Sequence, residues 1–295
     1  MSRKVFQVLF SAALFFLLNS SIQQKFLQAK DAEPNTDPAV ETSIKSRHIF
    51  KSDVDASLGH IEVNEAQFDF TKDFKIHELP LTFGVTVKET DINENLSANL
   101  PSRLVGEEFL LGAKFPTPFL DSEHYFIGLD VFPSMYTDDG DFKSSAFRIP
   151  FRTYLIYKQS DDFILVIGVN IRPQYDTVVV PVIGMTYKPN DRLSFNLATS
   201  DPNITYKIND KLTALLEFND TIDEYEVTRN GQNGVVFKFN ESSVGGGFKY
   251  EFTKNIEALI TAGGVFGRYM EYRDKVDKTI PNAGVYTNFK LNAKF

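Results

Sequence analysis

The strongest constraint on the fold is a period-two alternation of apolar and polar side chains that recurs along most of the chain. In "SAFRIPFRTYLIYK", from Ser145 to Lys158, large apolar side chains fall on one face, and arginine, lysine, alanine and proline fall on the other. The apolar face consists of Phe147, Ile149, Phe151, Leu155 and Tyr157. Successive side chains of a β-strand point to opposite faces, so this pattern predicts strands with one apolar and one polar face.

Two classes of β protein produce such strands. A soluble sandwich buries the apolar face, whereas a transmembrane barrel turns it to lipid and lines a lumen with the polar face. Strand length favours the barrel, because candidate strands such as Ser144–Lys158 and Glu257–Tyr272 are longer than the about 9–11 residues that a tilted spanning strand needs. Apolar positions such as Leu165 and Ile167 should then face lipid, and an arginine replacing Ala146 or Gly168 on the opposite face should be tolerated. The sandwich remains the alternative.

The connections between strands also indicate a barrel. Short turns ("QSDD", "PND", "IND", "TKN") alternate with longer polar segments such as 88–102, 137–143 and 273–281. Short turns at one rim and long loops at the other are typical of outer-membrane barrels. Counting from His60 gives thirteen candidate strands. Bacterial single-chain barrels have even numbers of strands, so we predict an all-β, antiparallel up-and-down transmembrane β-barrel of about 12 strands, with 14 as the second choice.

One nine-residue pattern occurs twice, as "TYKPNDRLS" (Thr186–Ser194) and "TYKINDKLT" (Thr205–Thr213). Asn and Asp favour tight turns because their side chains bond to nearby backbone, and an alternating run follows each copy. The repeat therefore predicts two equivalent turns at one rim, in preference to a repeated active site.

The N-terminal sequence indicates export. Arg3 and Lys4 precede an apolar stretch from Val5 to Leu18, which is typical of a secretory signal peptide and too short for a spanning helix. We predict a signal peptide over residues 1–30, a polar N-terminal tail over 31–55 and a β-barrel domain over 56–295. An exported chain with a strand-built membrane domain is expected in the bacterial outer membrane.

Composition and motifs exclude several functions. The formal net charge is −8, so no nucleic-acid partner is expected. With no cysteine, the chain has neither disulfides nor thiolate chemistry. No catalytic, phosphate-binding or zinc motif is present in the sequence, and we predict no enzyme, no cofactor and no metal. A rim-sited hydrolase around His124 is the least favoured alternative, because a histidine beside a turn has a simpler explanation.

Two segments resemble known families. The final strand, "GVYTNFKLNAKF", resembles the C-terminal signal by which the assembly machinery recognises bacterial outer-membrane barrels. This resemblance implies that Phe289, Leu291 and Phe295 form the signal, and that the assembly machinery and outer-membrane lipid are partners. The segment "VIGMTYKPNDRLSFNLATSDPNITYKINDKLTALLEF" resembles an uncharacterised family of outer-membrane barrels known as a domain of unknown function, over about Phe147–Phe252. That family implies a barrel and no particular activity.

If the apolar faces meet lipid, the polar faces line the lumen. The predicted lumen-lining residues are Glu108, Lys114, Asp130, Arg148, Arg152, Asn170 and Arg172. The three arginines lie on neighbouring strands and would face Asp130 and Glu108, and such opposed charges can select small polar solutes. We therefore predict a passive pore or transport-related channel for small polar solutes. A structural or adhesin barrel with a closed lumen is the competing interpretation, because paired side chains can fill a small barrel.

Overall fold

The computed structural model describes residues 40–54, 59–77, 79–95, 100–117, 119–121, 123–197, 202–273 and 278–295. Within these ranges, all regular structure is β-strand. The strands are β1 (Val40–Asp53), β2 (His60–Ile76), β3 (Leu79–Glu94), β4 (Arg103–Pro116), β5 (Tyr125–Val131), β6 (Ser134–Thr137), β7 (Phe147–Arg148), β8 (Phe151–Ser160), β9 (Phe163–Ile171), β10 (Val179–Tyr187), β11 (Leu193–Asn196), β12 (Asn203–Lys207), β13 (Leu212–Arg229), β14 (Gln232–Thr253), β15 (Ile256–Tyr272) and β16 (Gly284–Lys294). None of these residues forms a helix that could cross a membrane. The predicted signal peptide lies outside the described residues.

The sixteen elements form one closed, antiparallel, up-and-down barrel of 14 strands. Neighbours in the chain pair with each other around the barrel, and the pairing of β1 with β16 closes it. Two wall strands are each interrupted once. β5 and β6 both pair with β4 and are separated at Pro133, whereas β7 and β8 are separated at Pro150. Proline cannot donate a ladder hydrogen bond, so each proline interrupts its strand without breaking the wall.

The expectation of 12 strands is wrong and the second choice of 14 is confirmed. The thirteen strands counted from His60 all exist, and the fourteenth is β1. It lies inside the predicted N-terminal tail, so the tail assignment is wrong for residues 40–53. β1 was missed because its interior face carries Ser43, Lys45 and Arg47 while its exterior face mixes Ile44 with Ser46, which leaves little hydrophobic alternation.

The repeated pattern forms two equivalent turns, as predicted. The Asn190 side chain accepts hydrogen bonds from the backbone N–H groups of Arg192 and Leu193, both at 2.9 Å. Asn209 accepts the same two bonds from Lys211 and Leu212, also at 2.9 Å. These turns lie at the end of the barrel where β1 begins at Val40 and β16 ends at Lys294, and we call it the short-turn end. The opposite end is the long-loop end.

The wall is taller on one side than on the other. β13 and β14 have 18 and 22 residues, whereas β11 and β12 have 4 and 5. The acidic stretch 219–233 is therefore part of the wall and its hairpin turn. The hairpin has a two-residue turn at Asn230–Gly231, whose φ angles are 50° and 77°, as a type I′ turn requires. Beyond the ends of the short strands β11 and β12, β13 pairs directly with β6 through a bridge between Glu226 and Thr137. Fewer strands surround the interior at this height, and we call this part of the barrel the narrower level.

Along β14, every second residue faces the interior without interruption, so the glycines Gly245–Gly247 carry no bulge. Pairing with β13 runs without a shift through the three glycines. The irregularity lies on β15 opposite Asn240–Ser242, where Gly267 has φ 59°. Along β14, the apolar residues lie at even positions on the exterior of the 14-strand level and at odd positions in the interior of the narrower level. Phe248 is 57% exposed and faces outward, whereas Phe237 is 0% exposed inside the narrower level.

Candidate functional site

The exterior of the 14-strand level carries the apolar face, as predicted. Leu165, Ile167 and Phe147 are 38%, 54% and 39% exposed, and Ile183 beside Ile167 is 74% exposed. A wide apolar exterior at this height is what a lipid-embedded barrel requires. The interior is therefore the candidate functional site.

The interior of this level contains two polar cavities in series. Cavity 1, of about 780 Å³, lies at the short-turn end between β1–β4 and β14–β16. Cavity 2, of about 530 Å³, lies deeper and extends towards β13. Five residues line both cavities and so form the constriction between them: Gln67, Thr86, Glu108, Phe132 and Arg152.

Fixed contacts position the side chains of the constriction. Arg152 donates two hydrogen bonds to Asp130 Oδ2, at 3.0 and 2.6 Å, and its guanidinium lies 5.2 Å from the centre of the Phe132 ring. Glu108 accepts a hydrogen bond of 3.1 Å from the Tyr136 hydroxyl. The constriction therefore contains the ring of Phe132, the carboxyl group of Glu108 and the guanidinium of Arg152, whose charge Asp130 offsets. Such a lining contacts small polar solutes without a strong preference for one sign of charge.

Three tyrosine rings lie against glycines of the interior wall. A Cβ at Gly128 would lie 2.2 Å from the Tyr154 ring, and one at Gly106 would lie 2.7 Å from the Tyr136 ring. At Gly245 it would lie 2.1 Å from the Tyr286 hydroxyl. Only glycine permits this approach, so the rings cover the wall in place of projecting into the cavities.

An apolar core closes the long-loop end of the lumen. It fills the narrower level and includes Ile49, Ile61, Leu104, Phe237, Val265 and Tyr286, each 0% exposed. A solute in cavity 2 cannot continue along the barrel axis without displacing these side chains. Among the described residues, the lumen is therefore accessible along the axis at the short-turn end, and the other end forms a packed seal.

Among the described residues, the ladder along one edge of β13 is interrupted beside cavity 2. Pairing with β12 ends at Glu217, the Phe218 N–H donates to the Pro202 carbonyl at 2.9 Å, and the next described backbone pair on that edge is Glu226 with Thr137. Between them, Arg172 donates to the carbonyl of Ile222 at 2.8 Å and Arg148 donates to that of Glu224 at 3.2 Å. Cavity 2 is lined by interior Asn219 and Thr221 and also by exterior Asp220 and Ile222. Among the described residues, cavity 2 is thus bordered here by consecutive residues of an unpaired stretch of β13, and we call this stretch the β13 gap.

The segment Arg172–Val178 covers the upper edge of the β13 gap and is held there by ion pairs. Arg273 contacts Asp176 at 2.7 Å and Glu224 at 2.7 Å, and Lys238 also pairs with Asp176. The Lys238 ammonium, with Arg273 beside it, lowers the pKa of the Asp176 carboxyl below its ordinary value. Tyr175, 7% exposed, lies between two guanidiniums, with its ring centre 4.3 Å from Arg148 and 4.0 Å from Arg172.

The predicted lumen residues divide into three groups. Glu108, Asp130, Arg152 and Asn170 lie on the interior face, where all but Asp130 line a cavity directly. Lys114 is exposed on the same face near the short-turn end, opposite Gly128.

The predicted row of three arginines is wrong. Arg172 lies at the rim of cavity 2 against Tyr175, and Arg148 is 5% exposed and packed against Glu224, 3.9 Å away. The interruption at Pro150 separates Arg148 from Arg152, so the two do not share one surface.

Two further expectations about the interior face are wrong. Ala146 is 1% exposed, and a Cβ at Gly168 would lie 2.5 Å from the Cβ of Tyr154. Neither site has room for an arginine. His124 is at the short-turn end, paired with Asp121 at 2.7 Å, and Ser122 lies outside the described residues. Phe289 and Phe295 are 44% and 50% exposed on the exterior face, with Leu291 on the same face. Their role in assembly stays a prediction.

Sequence reasoning missed Phe132, the β13 gap and the ion pairs that hold segment 172–178. Phe132 follows an alternating strand immediately before Pro133, and this proline was the available signal that the strand changes course there. The gap depends on the difference in length between β12 and β13, which alternation alone does not measure.

Comparison with known proteins finds one sequence family and several loosely similar solved structures. A sequence model of one family, described as "Domain of unknown function (DUF6268)", matches residues 126–295, more than half of the chain. No curated protein sequence matches it. An outer membrane channel from Pseudomonas putida F1 has 10% identity and a TM-score of 0.47, with 91% of this chain and 100% of that one covered. A Pseudomonas aeruginosa FadL homologue has 11% identity and a TM-score of 0.46, with coverages of 88% and 90%. The Pseudomonas putida toluene transporter TodX has 10% identity and a TM-score of 0.46, also with coverages of 88% and 90%. At these identities and TM-scores, neither a substrate nor a permeation path can be transferred from those proteins to this chain.

Proposed function

The chain belongs to this DUF6268 family, whose description carries no activity, and we propose that it is an outer-membrane barrel that transports small polar solutes. The observation that carries the proposal is the continuity of polar space: cavity 1 opens at the short-turn end, meets cavity 2 at the constriction, and cavity 2 continues as far as the β13 gap. A barrel with a purely structural role has no need of such a passage.

The charges along this passage suit solutes that are polar but not strongly charged. Cavity 2 is lined by Lys45, Arg47, Lys88, Arg152 and Arg172 and also by Glu65, Glu108, Glu217, Asp220 and Asp223. Equal numbers of basic and acidic side chains leave no net field to concentrate one ion, and release stays fast because no site is dominated by one sign. This lining favours neutral or zwitterionic solutes.

The proposed location is the outer membrane. β9, with nine residues, is about 30 Å long, and at a tilt of about 40° it covers about 23 Å, close to the apolar band of ~25 Å in such barrels. The final residue supports insertion by the assembly machinery: Phe295 exchanges backbone hydrogen bonds of 2.8 and 2.9 Å with Val40, so the C-terminal residue completes the β1–β16 seam that closes the barrel.

The test is permeation through the purified barrel in planar bilayers and in liposomes containing small neutral and zwitterionic solutes. Phe132→Ala removes the ring between the two cavities and should raise single-channel conductance and liposome swelling rate. The matched control is Phe142→Ala, because Phe142 is 76% exposed in the 138–146 connection, away from both cavities, and it should leave both readouts unchanged. A folded wild type and a folded Phe132→Ala that are both silent would contradict the proposal.

A closed structural barrel or adhesin is the second candidate, and the apolar core favours it. That core seals the long-loop end with side chains that are almost fully buried. If the barrel is closed and structural, no substitution at the constriction or at the β13 gap will create permeation. Binding to partners should then map to the β13–β14 hairpin and to the connections of the long-loop end.

A further inference from the structure

Segment 172–178, which connects β9 to β10, is held to the β13–β15 side of the barrel through side chains. Among the described residues, its backbone–backbone hydrogen bonds are internal: the Arg172 N–H donates to the Val178 carbonyl at 2.7 Å, and the Tyr175 N–H donates to the Arg172 carbonyl at 3.2 Å. The N–H of Asp176 donates instead to the Glu224 carboxylate, at 3.0 Å. Contacts of this kind break and re-form while the strand pairs of the barrel stay intact.

Two adjacent residues of the segment have their side chains in different surroundings. Tyr175 lines cavity 2 and is 7% exposed. Asp176 contacts Arg273 at 2.7 Å and also pairs with Lys238, and neither of these basic residues lines cavity 1 or cavity 2. Gln174, just before them, has a φ of 68°, a conformation that a non-glycine residue keeps only when its surroundings hold it. The ring therefore faces the lumen while the neighbouring carboxylate is fixed outside it.

The slot that receives the Tyr175 ring is anchored independently of the ring. Its two walls are the guanidiniums of Arg148 and Arg172, 4.3 and 4.0 Å from the ring centre. Arg148 donates to the carbonyl of Glu224 at 3.2 Å, and Arg172 donates to that of Ile222 at 2.8 Å. Both carbonyls belong to β13 beyond its pairing with β12. The guanidiniums keep these partners when the ring leaves, so the ring has a preformed place to return to.

The surroundings of the slot are those of a water-facing site. Asp176 and Arg273 are 38% and 40% exposed, and Asp220, which lines cavity 2, is exposed on the exterior face of β13. Charged side chains are costly in lipid hydrocarbon. The segment also lies beyond the ends of β9 and β10, at Ile171 and Val179. An opening at this place leads to water at the edge of the apolar band.

We propose that segment 172–178 is a gate and that Tyr175 is its closing residue. Withdrawal of the Tyr175 ring joins cavity 2 to the water outside the wall, so a solute bypasses the apolar core. The ion pairs of Asp176 with Arg273 and Lys238 act as a latch that keeps the gate closed. This inference rests on the proposed transport function, for which the gate supplies the second mouth.

The first test measures access to cavity 2 without requiring permeation. The chain has no cysteine, so Thr221→Cys, at an interior position that lines cavity 2, introduces a single thiol. The probe is N-ethylmaleimide, which is neutral, and the barrel is folded in detergent. A minor conformation is populated at about 0.1–10%, so adding Tyr175→Ala should raise the labelling rate by about 10-fold or more. Tyr175→Phe keeps the ring and should leave the rate unchanged.

The latch is tested in the same assay. Arg273→Met removes a latch contact and should also accelerate labelling at Thr221→Cys. Lys278→Met removes a positive charge that pairs with Glu271 at 3.8 Å, and it should have no effect. A cysteine at Thr71, which lines cavity 1, should label at one rate in every background. Equal labelling at Thr221→Cys with and without Tyr175→Ala and Arg273→Met would overturn the gate, and if Tyr175→Ala does not fold, Arg273→Met decides.

Planar bilayers separate the gate from the transport function. Tyr175→Ala should raise the single-channel conductance, and Tyr175→Phe should keep the wild-type value. Faster labelling in Tyr175→Ala together with silence of every variant, Phe132→Ala included, would support the gate and refute transport. A conducting wild type whose labelling and conductance are both unaffected by Tyr175→Ala and Arg273→Met would refute the gate and leave transport standing.

Discussion

The lipid-facing surface can be tested with a charge placed at two depths on one strand. Ile167 is the fifth of nine residues of β9 and is 54% exposed, and its neighbours across the sheet are Leu155 and Ile183. This position corresponds to the middle of the apolar band. Phe163 starts the same strand on the same face, next to the turn at 161–162. The two sites differ mainly in depth.

The depth dependence sets the expected magnitudes. An arginine on the lipid face costs about 2–4 kcal/mol at the bilayer midplane and about 0–1 kcal/mol near the interface. Ile167→Arg should therefore lower the free energy of unfolding by about 2–4 kcal/mol, and Phe163→Arg by about 1 kcal/mol from charge transfer. Long side chains near a strand end can also extend their charge to the interface.

The assay is reversible unfolding in guanidinium of the barrel inserted in thin-bilayer vesicles, followed by tyrosine fluorescence and by heat-modifiable gel mobility. Equal losses at the two positions would show that depth is irrelevant and that this face does not contact lipid. If both Ile167→Arg and Phe163→Arg lower the free energy of unfolding in detergent but not in vesicles, the cause would be a packing defect instead.

Three further outcomes are expected. Arg273→Ala removes the contacts with Asp176 and Glu224, so protease cleavage within segment 172–178 should become faster, whereas the matched control Lys278→Ala should leave the cleavage rate unchanged. Because the pKa of Asp176 is lowered, wild type should keep this segment in place at neutral pH and release it only in acid, as the pH falls through that pKa. Gly128→Ala places a Cβ 2.2 Å from the Tyr154 ring and should destabilise the barrel by about 1–3 kcal/mol in the same unfolding assay. In the control Gly246→Ala, the nearest atom to the added Cβ is 3.6 Å away, so the loss of stability should be much smaller. Equal losses would contradict the close packing of Tyr154 against Gly128. Deleting Phe295 removes the hydrogen bonds to Val40 and should lower the yield of assembled barrel in membrane fractions more than Lys51→Ala does, and equal yields would argue against the C-terminal signal.

Alternation predicted the barrel and its apolar exterior, because large apolar side chains recur at every second position of its strands. The same rule explains the errors. Outside the bilayer the exterior meets water and the apolar side chains turn inward, so Phe237 and Phe248 have opposite parity on one unbroken strand. β1 was missed because few of its positions are apolar on either face.

The candidate site was only half predictable. Glu108, Asp130, Arg152 and Asn170 follow from parity, which fixes the face of a strand. Whether an interior arginine lines a cavity or packs into the wall depends on what lies opposite, and for Arg148 that is Glu224, 76 residues further along the chain. No local pattern encodes such a contact, and the β13 gap results from a comparison of strand lengths across the barrel.

The hairpin at Asn230–Gly231 offers a practical handle on the living cell. A side chain added at Gly231 or Gly234 would meet no atom within 4 Å, and two-residue tips of this kind accept insertions because few contacts are lost. A short epitope inserted there is expected to leave folding intact and to be stained by an antibody on unpermeabilised cells. Staining that appears only after the envelope is permeabilised would mean that the long-loop end faces the periplasm.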